Sequence, residues 1–99
     1  MTNYVLAFRS APDRAVPEGA LEAWGAWFGQ LGPAIADRGN RVGNVTRLDA
    51  ADAASGAEIL TGYMVISADS MESAATLAKG CPGLERGGGV EIGALSDMS

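Results

Sequence analysis

The chain of 99 residues contains no histidine. That removes the commonest general base at neutral pH and the commonest transition-metal ligand together. Cys81 is the only cysteine, so no intrachain disulfide can form, and a reducing compartment is expected. Positive charge is scarce, with seven Lys or Arg against twelve Asp or Glu, for a net charge of -5. The deficit is local: residues 1–50 carry five charges of each sign, whereas residues 51–99 carry two basic and seven acidic groups. Nucleic acids and anionic membranes require a basic face, so neither is an expected partner. No segment reaches the roughly 18–20 consecutive apolar residues of a membrane span. Met1-Thr2-Asn3 lack the basic start and apolar run of a signal peptide, which makes a cytoplasmic protein the expectation.

What the chain does have is apolar surface: 47% of its residues are hydrophobic and 19% charged, the balance of a folded globule. At this length it forms one domain over residues 1–99, with 96–99 a frayed tail. Tyr4 to Phe8 reads as a first strand ending with Arg9 and Ser10. Ala11-Pro12-Asp13-Arg14 reads as a turn. Pro17 and Glu18 suit a helix start, and Leu21, Trp24, Phe28, Leu31 and Ile35 recur at steps of three and four. Gly32-Pro33 should kink or divide that helix, and Gly39 should stop it after Asp37 and Arg38.

Arg41 to Leu48 is a weaker strand, residues 49–58 a wide connection, and Ile59 to Ser67 a clear strand. Asp69 and Glu72 have the spacing of a capping box before a second helix, whose stripe is Met71, Ala74, Ala75 and Ala78 with Leu77 beside them. Gly80-Cys81-Pro82-Gly83 ends that helix, and Gly87-Gly88-Gly89 leads to a last strand, Val90 to Leu95. The order is β-α-β-β-α-β. Two helices cover one face of such a sheet and leave the other bare.

Both faces of the strands are apolar, which a solvated face would not be. Val5 and Ala7, with Arg9, are expected under the helices. Tyr4, Leu6 and Phe8, with Tyr63 and Val65, are expected on the bare face. A second copy is the simplest cover for that face, so a homodimer is expected.

Arg9 is the first candidate binding residue, because a partly enclosed guanidinium offers paired donors to a carboxylate or enolate-like anion. A structural ion pair of Arg9 with Glu91 or Asp37 is the competing reading. Trp24 and Phe28 belong to the helix's core stripe with Leu21 and Leu31. Trp27, about 60° around the wheel from Trp24, is placed to roof a cleft between helix and sheet. Asp37 is a weak candidate base, effective only if burial raises its pKa. Cys81 follows a helix C-terminus rather than preceding an N-terminus, which fits an inert buried thiol. Gly87-Gly88-Gly89 enters a strand, not a helix, and so is a turn rather than a phosphate cradle. Asp49, Asp52 and Glu58 form an acidic loop in which hard-cation binding is weaker than simple solvation. No metal site and no cofactor is expected.

The run Gly62-Tyr63-Met64-Val65-Ile66-Ser67-Ala68-Asp69-Ser70-Met71-Glu72-Ser73-Ala74, the continuation Ala78-Lys79-Gly80-Cys81-Pro82-Gly83-Leu84, and the final Gly89-Val90-Glu91-Ile92 resemble the YCII-related (DGPF-type) proteins. The resemblance implies a ferredoxin-like fold assembled as a dimeric α/β barrel. Two family features are missing. Proteins of this kind carry a histidine and an aspartate near the first helix, where this chain has Trp24, Trp27 and Phe28. Residues 55–62 read Ser-Gly-Ala-Glu-Ile-Leu-Thr-Gly in place of the DGPF motif.

Three functions remain in view. One is a dimer binding a small organic ligand, anionic if Arg9 takes part, in a cleft between the first helix and the sheet through Arg9, Trp24, Trp27 and Asp37. Another is a small cofactor-independent enzyme of isomerase or monooxygenase type, which rests on fold analogy. The last is a structural or interaction dimer with a decayed site, to which the missing histidine gives weight.

Overall fold

The computed structural model describes residues 1–11, 18–46 and 59–96. β1 (Thr2–Ser10) is followed by α1 (Ala20–Leu31), a short 3-10 turn (Gly32–Ala34), β2 (Ile35–Arg41), β3 (Ile59–Ala68), α2 (Met71–Ala78), a second 3-10 turn (Pro82–Arg86) and β4 (Gly89–Ala94). The sheet order is β2-β3-β1-β4, and every neighbouring pair is antiparallel. The protein is thus α+β, with a four-stranded antiparallel sheet and two helices, an arrangement compatible with the ferredoxin-like fold. Among the described residues, no helix is long and apolar enough to cross a membrane.

The core forms on one face of the sheet. Tyr4, Leu6 and Phe8 of β1 and Met64, Ile66 and Ala68 of β3 meet Trp27 and Leu31 of α1, Ala74 and Ala78 of α2, and Cys81. Cross-strand register explains the grouping, because Leu6 stands opposite both Met64 and Ile92, and Tyr4 opposite Ile66. The expected assignment of the β1 faces is therefore reversed. Tyr4, Leu6 and Phe8 lie beneath the helices, and Val5, Ala7 and Arg9 lie on the bare face. Tyr63 and Val65 do lie on that face, opposite Ala7 and Val5. The physical reason is size: the helices stand off the sheet, and Tyr, Leu and Phe fill that gap where Val and Ala would leave voids.

The first helix is shorter than its spacing suggested. Gly32 adopts φ 50, Pro33 begins the tight turn, and the chain re-enters the sheet at Ile35. Asp37, Arg38 and Gly39 are consequently strand residues rather than a last helical turn. β2 ends at Arg41 instead of beginning there, and residues 47–48 of the expected strand lie outside the described residues. Leu21, expected in the core stripe, is 86% exposed. Ser70, not Asp69, caps α2: its hydroxyl oxygen accepts the N–H of Ser73 at 3.1 Å. Within the α2 stripe Ala74 and Ala78 are buried, but Met71 is exposed.

Gly39 is a residue that β2 cannot exchange. Its φ is 71, and an added Cβ would fall 1.7 Å from the carbonyl oxygen of Tyr63. β2 lies against β3 with register shifts on both sides of Asp37, so the backbone there bulges into the space a side chain would need.

Candidate functional site

The space between α1 and the sheet, where a ligand cleft was expected, is occupied by aromatic rings. Phe8 meets Trp24 and Trp27 edge-on at centroid distances of 5.1 and 5.9 Å, and Trp24 meets Trp27 at 5.5 Å. Trp27 is 2% exposed, so it is the core tryptophan, while Trp24 and Phe28 are half-buried at the boundary. This inverts the roles expected for the pair. The Trp27 indole N–H donates to the Leu77 carbonyl oxygen at 3.2 Å, joining α1 to α2. Gly80 makes room for it, since a Cβ there would lie 2.9 Å from the Trp27 ring. Outside the cluster, the Arg38 guanidinium sits 5.7 Å from the centre of the Phe28 ring, a cation–π contact.

Arg9 projects from the opposite face of the sheet. It forms a salt bridge with Glu91 of β4, and both side chains are about half exposed or more. The ion pair considered as the alternative to anion binding is thus present, and Glu91 neutralises the charge an anionic ligand would use. An exposed pair of this kind is worth about 0–1 kcal/mol. Asp37 is exposed, and its Oδ1 accepts the backbone N–H of Gly39 at 2.8 Å, which shapes the β2 bulge. Its carboxylate is not enclosed among apolar groups, the condition for a catalytic base. The four residues expected to share a cleft are therefore divided by the sheet, with Trp24 and Trp27 on the helix side and Arg9 and Asp37 on the bare side.

The bare face has its own order, which register makes explicit. One row across the sheet reads Asn40, Tyr63, Ala7, Glu91, and the next reads Asp37, Val65, Val5, Gly93. Val5, Ala7, Tyr63, Val65 and Gly93 form a half-buried apolar centre. Polar pairs bound it. Asn40 Nδ2 donates to the Tyr63 hydroxyl at 3.0 Å, Ser67 Oγ donates to Asn3 Oδ1 at 2.7 Å, and Arg9 bridges to Glu91. The Asn40–Tyr63 and Asn3–Ser67 pairs escaped sequence reasoning. The second was discoverable from the parity of β1 and β3, but the first required β2 to begin at Ile35.

Cys81 is buried beside Trp24 and Gly83, and burial pushes its thiol pKa upward against weaker opposing pulls from the Gly83 and Leu84 N–H groups. This matches an inert packing thiol. Gly87 has φ 81 and Gly88 donates to the Gly83 carbonyl at 2.9 Å, so the glycine run forms a turn into β4. Two shallow, open depressions of about 380 Å³ each adjoin Met1, one bounded by Asn3 and Leu95, the other by Ser67, Asp69 and Thr76. Neither touches Arg9, Trp24, Trp27 or Asp37. Among the described residues, no three His, Cys, Asp or Glu side chains gather as a metal site, and Asp49, Asp52 and Glu58 lie outside those residues.

No protein-family model, no curated protein and no solved structure matches the chain.

Proposed function

We propose that this protein is a YCII-like interaction domain whose working unit is a homodimer closed over the bare sheet face. The observation that carries the reading is the apolar centre of Val5, Ala7, Tyr63, Val65 and Gly93 on a face that no helix of the described residues covers. An exposed β face with no partner alternates toward polar residues, and this one reserves them for its margins.

The dimensions are sufficient. Strands spaced about 4.8 Å and rising about 3.3 Å per residue give a four-stranded face of roughly 500 Å² before side-chain relief. That supports an interface toward the small end of the standard class, about 600–800 Å² per partner. With a little over half of it apolar, burial in both copies contributes roughly 17–22 kcal/mol at ~25 cal/mol/Å². Association costs about 4–15 kcal/mol plus side-chain ordering, so the balance favours a pair of moderate affinity.

Binding of a small organic ligand is the weaker proposal for this geometry, because the expected cleft is filled by Trp27 and Phe8 and Arg9 is already paired. An enzymatic role loses its candidate base in the same way, Asp37 being exposed and committed to Gly39.

Sedimentation equilibrium tests the dimer. The expected outcome is a two-chain species at micromolar concentration, with Val65→Lys and Val5→Lys each weakening association at least about tenfold while leaving the far-ultraviolet circular dichroism unchanged. A wild-type chain that stays single up to about 1 mM overturns the proposal.

A further inference from the structure

The two edges of the sheet are built differently. β2, on one edge, carries register shifts on both sides of Asp37 and charged residues at 37, 38 and 41, devices that stop further strand pairing. β4, on the other, keeps an unbroken register with β1 from Gly89 to Ala94, contains no proline, lysine or arginine, and has Glu91 as its only charge. Among the described residues, one edge is blocked and the other is open.

The hydrogen-bond phase of β4 can be read from its end. The Leu95 N–H donates to the Asn3 carbonyl at 2.9 Å, which makes Leu95 and Asn3 a hydrogen-bonded pair. In an antiparallel ladder such pairs alternate, so Gly93 and Glu91 also turn their backbone groups toward β1. Val90, Ile92 and Ala94 then turn theirs outward. The same phase places the Phe8 carbonyl toward β3, where the Thr61 hydroxyl donates to it at 3.3 Å. Among the described residues no strand pairs with the outward groups of Val90, Ile92 and Ala94.

We propose that β4 pairs antiparallel with β4 of a second copy about a two-fold axis at Ile92. In that register Ile92 faces its own counterpart, and Val90 faces the other copy's Ala94. Each of the three residues uses both outward backbone groups, giving about six hydrogen bonds. Glu91 stands opposite Gly93 of the other copy, so the only charge on the strand is not set against itself, and glycine leaves its side chain room. Self-complementarity of this kind selects a second copy over an unrelated extended peptide, because an isologous contact must satisfy itself under two-fold exchange. The edge is distinct from the face proposed above, so pairing at both would build assemblies beyond a dimer.

The test is amide hydrogen exchange of the wild-type chain, followed by NMR from about 10 µM to about 1 mM, with Val65→Lys run in parallel to remove the face contact. Protection of the Ile92 and Ala94 N–H groups should rise at least about tenfold with concentration in both proteins. Ala94→Pro deletes an outward donor without touching a bond to β1, and should abolish the concentration dependence at Ile92 while the β1 and β3 amides stay protected. Unprotected Ile92 and Ala94 amides at every concentration overturn the proposal. Protection that is independent of concentration also overturns it, since the cover would then come from the same chain. Edge protection in Val65→Lys without face dimers separates failure of the face reading from failure of this one.

Discussion

Trp27 and Leu77 are joined by a hydrogen bond from the indole N–H to the backbone carbonyl, 3.2 Å long, between two helices fifty residues apart in sequence. The ring is 2% exposed and sits between Phe8 and Gly80. One side chain therefore fills the helix–sheet space and satisfies a carbonyl near the end of α2. Among the described residues, it occupies the space where a ligand cleft was expected.

Replacing Trp27 with Phe should cost about 1–3 kcal/mol, combining the lost indole hydrogen bond with a small cavity, while the Leu77 carbonyl keeps the Gly80 N–H at 3.4 Å. For a domain this size each kcal/mol lowers Tm by about 4–8 °C. Urea denaturation of the variant checks it. A loss under about 1 kcal/mol would show that the hydrogen bond and the packing of Trp27 contribute little.

Two glycines should respond in opposite directions to alanine. At Gly39 the new Cβ meets the Tyr63 carbonyl at 1.7 Å with φ 71, so Gly39→Ala should cost at least about 2–3 kcal/mol and loosen β2 from β3. At Gly25, in the middle of α1, a Cβ meets nothing within 4 Å, and Gly25→Ala should gain up to about 1 kcal/mol from helix propensity. Paired urea titrations measure both, and equal effects would refute the assignment of the strain to Gly39.

The raised thiol pKa of Cys81 carries a pH signature. The unfolded thiol ionises near 8.5 and the folded one at higher pH, so the unfolded state loses its proton first as pH increases. Cys81 therefore contributes its full stabilisation below about pH 8.5 and loses it as pH rises toward the folded value. The stability difference between wild type and Cys81→Ala should shrink above about pH 8.5. Denaturant titrations between neutral pH and about pH 10 check the sign, and a difference that grows instead would contradict burial as the cause.

Much of the fold was legible locally. The alternation of β1 and β3 and the glycine turn before β4 each arise from interactions spanning a few residues, and the observed elements follow them closely. The start of α2 was also legible, although Ser70 rather than Asp69 supplies its cap. The candidate site was much less legible, and β1 shows why. Its two faces are both apolar, and alternation assigns residues to faces without saying which face meets a helix. Arg9 and Trp27 share a cleft only if Val5 and Ala7 face the helices, and it is Tyr4, Leu6 and Phe8 that face them.

α1 and β2 show the complementary limit. The three- and four-residue spacing from Leu21 to Ile35 continues past the helix end, because Ile35 is apolar for its contact with the core rather than for helix periodicity. Gly32 and Pro33 permitted either a kink or an exit, and pairing with β3 selected the exit.

The sequence by itself determined a small α+β chain with strands apolar on both sides, scarce positive charge and no histidine chemistry. Tertiary structure alone decided which face of β1 is covered, that Trp27 closes the interior, and that Arg9 meets Glu91 on the other side. The reason is that composition and periodicity are properties of the chain, whereas facing and convergence depend on how far the helices stand from the sheet and which side chains fill that distance.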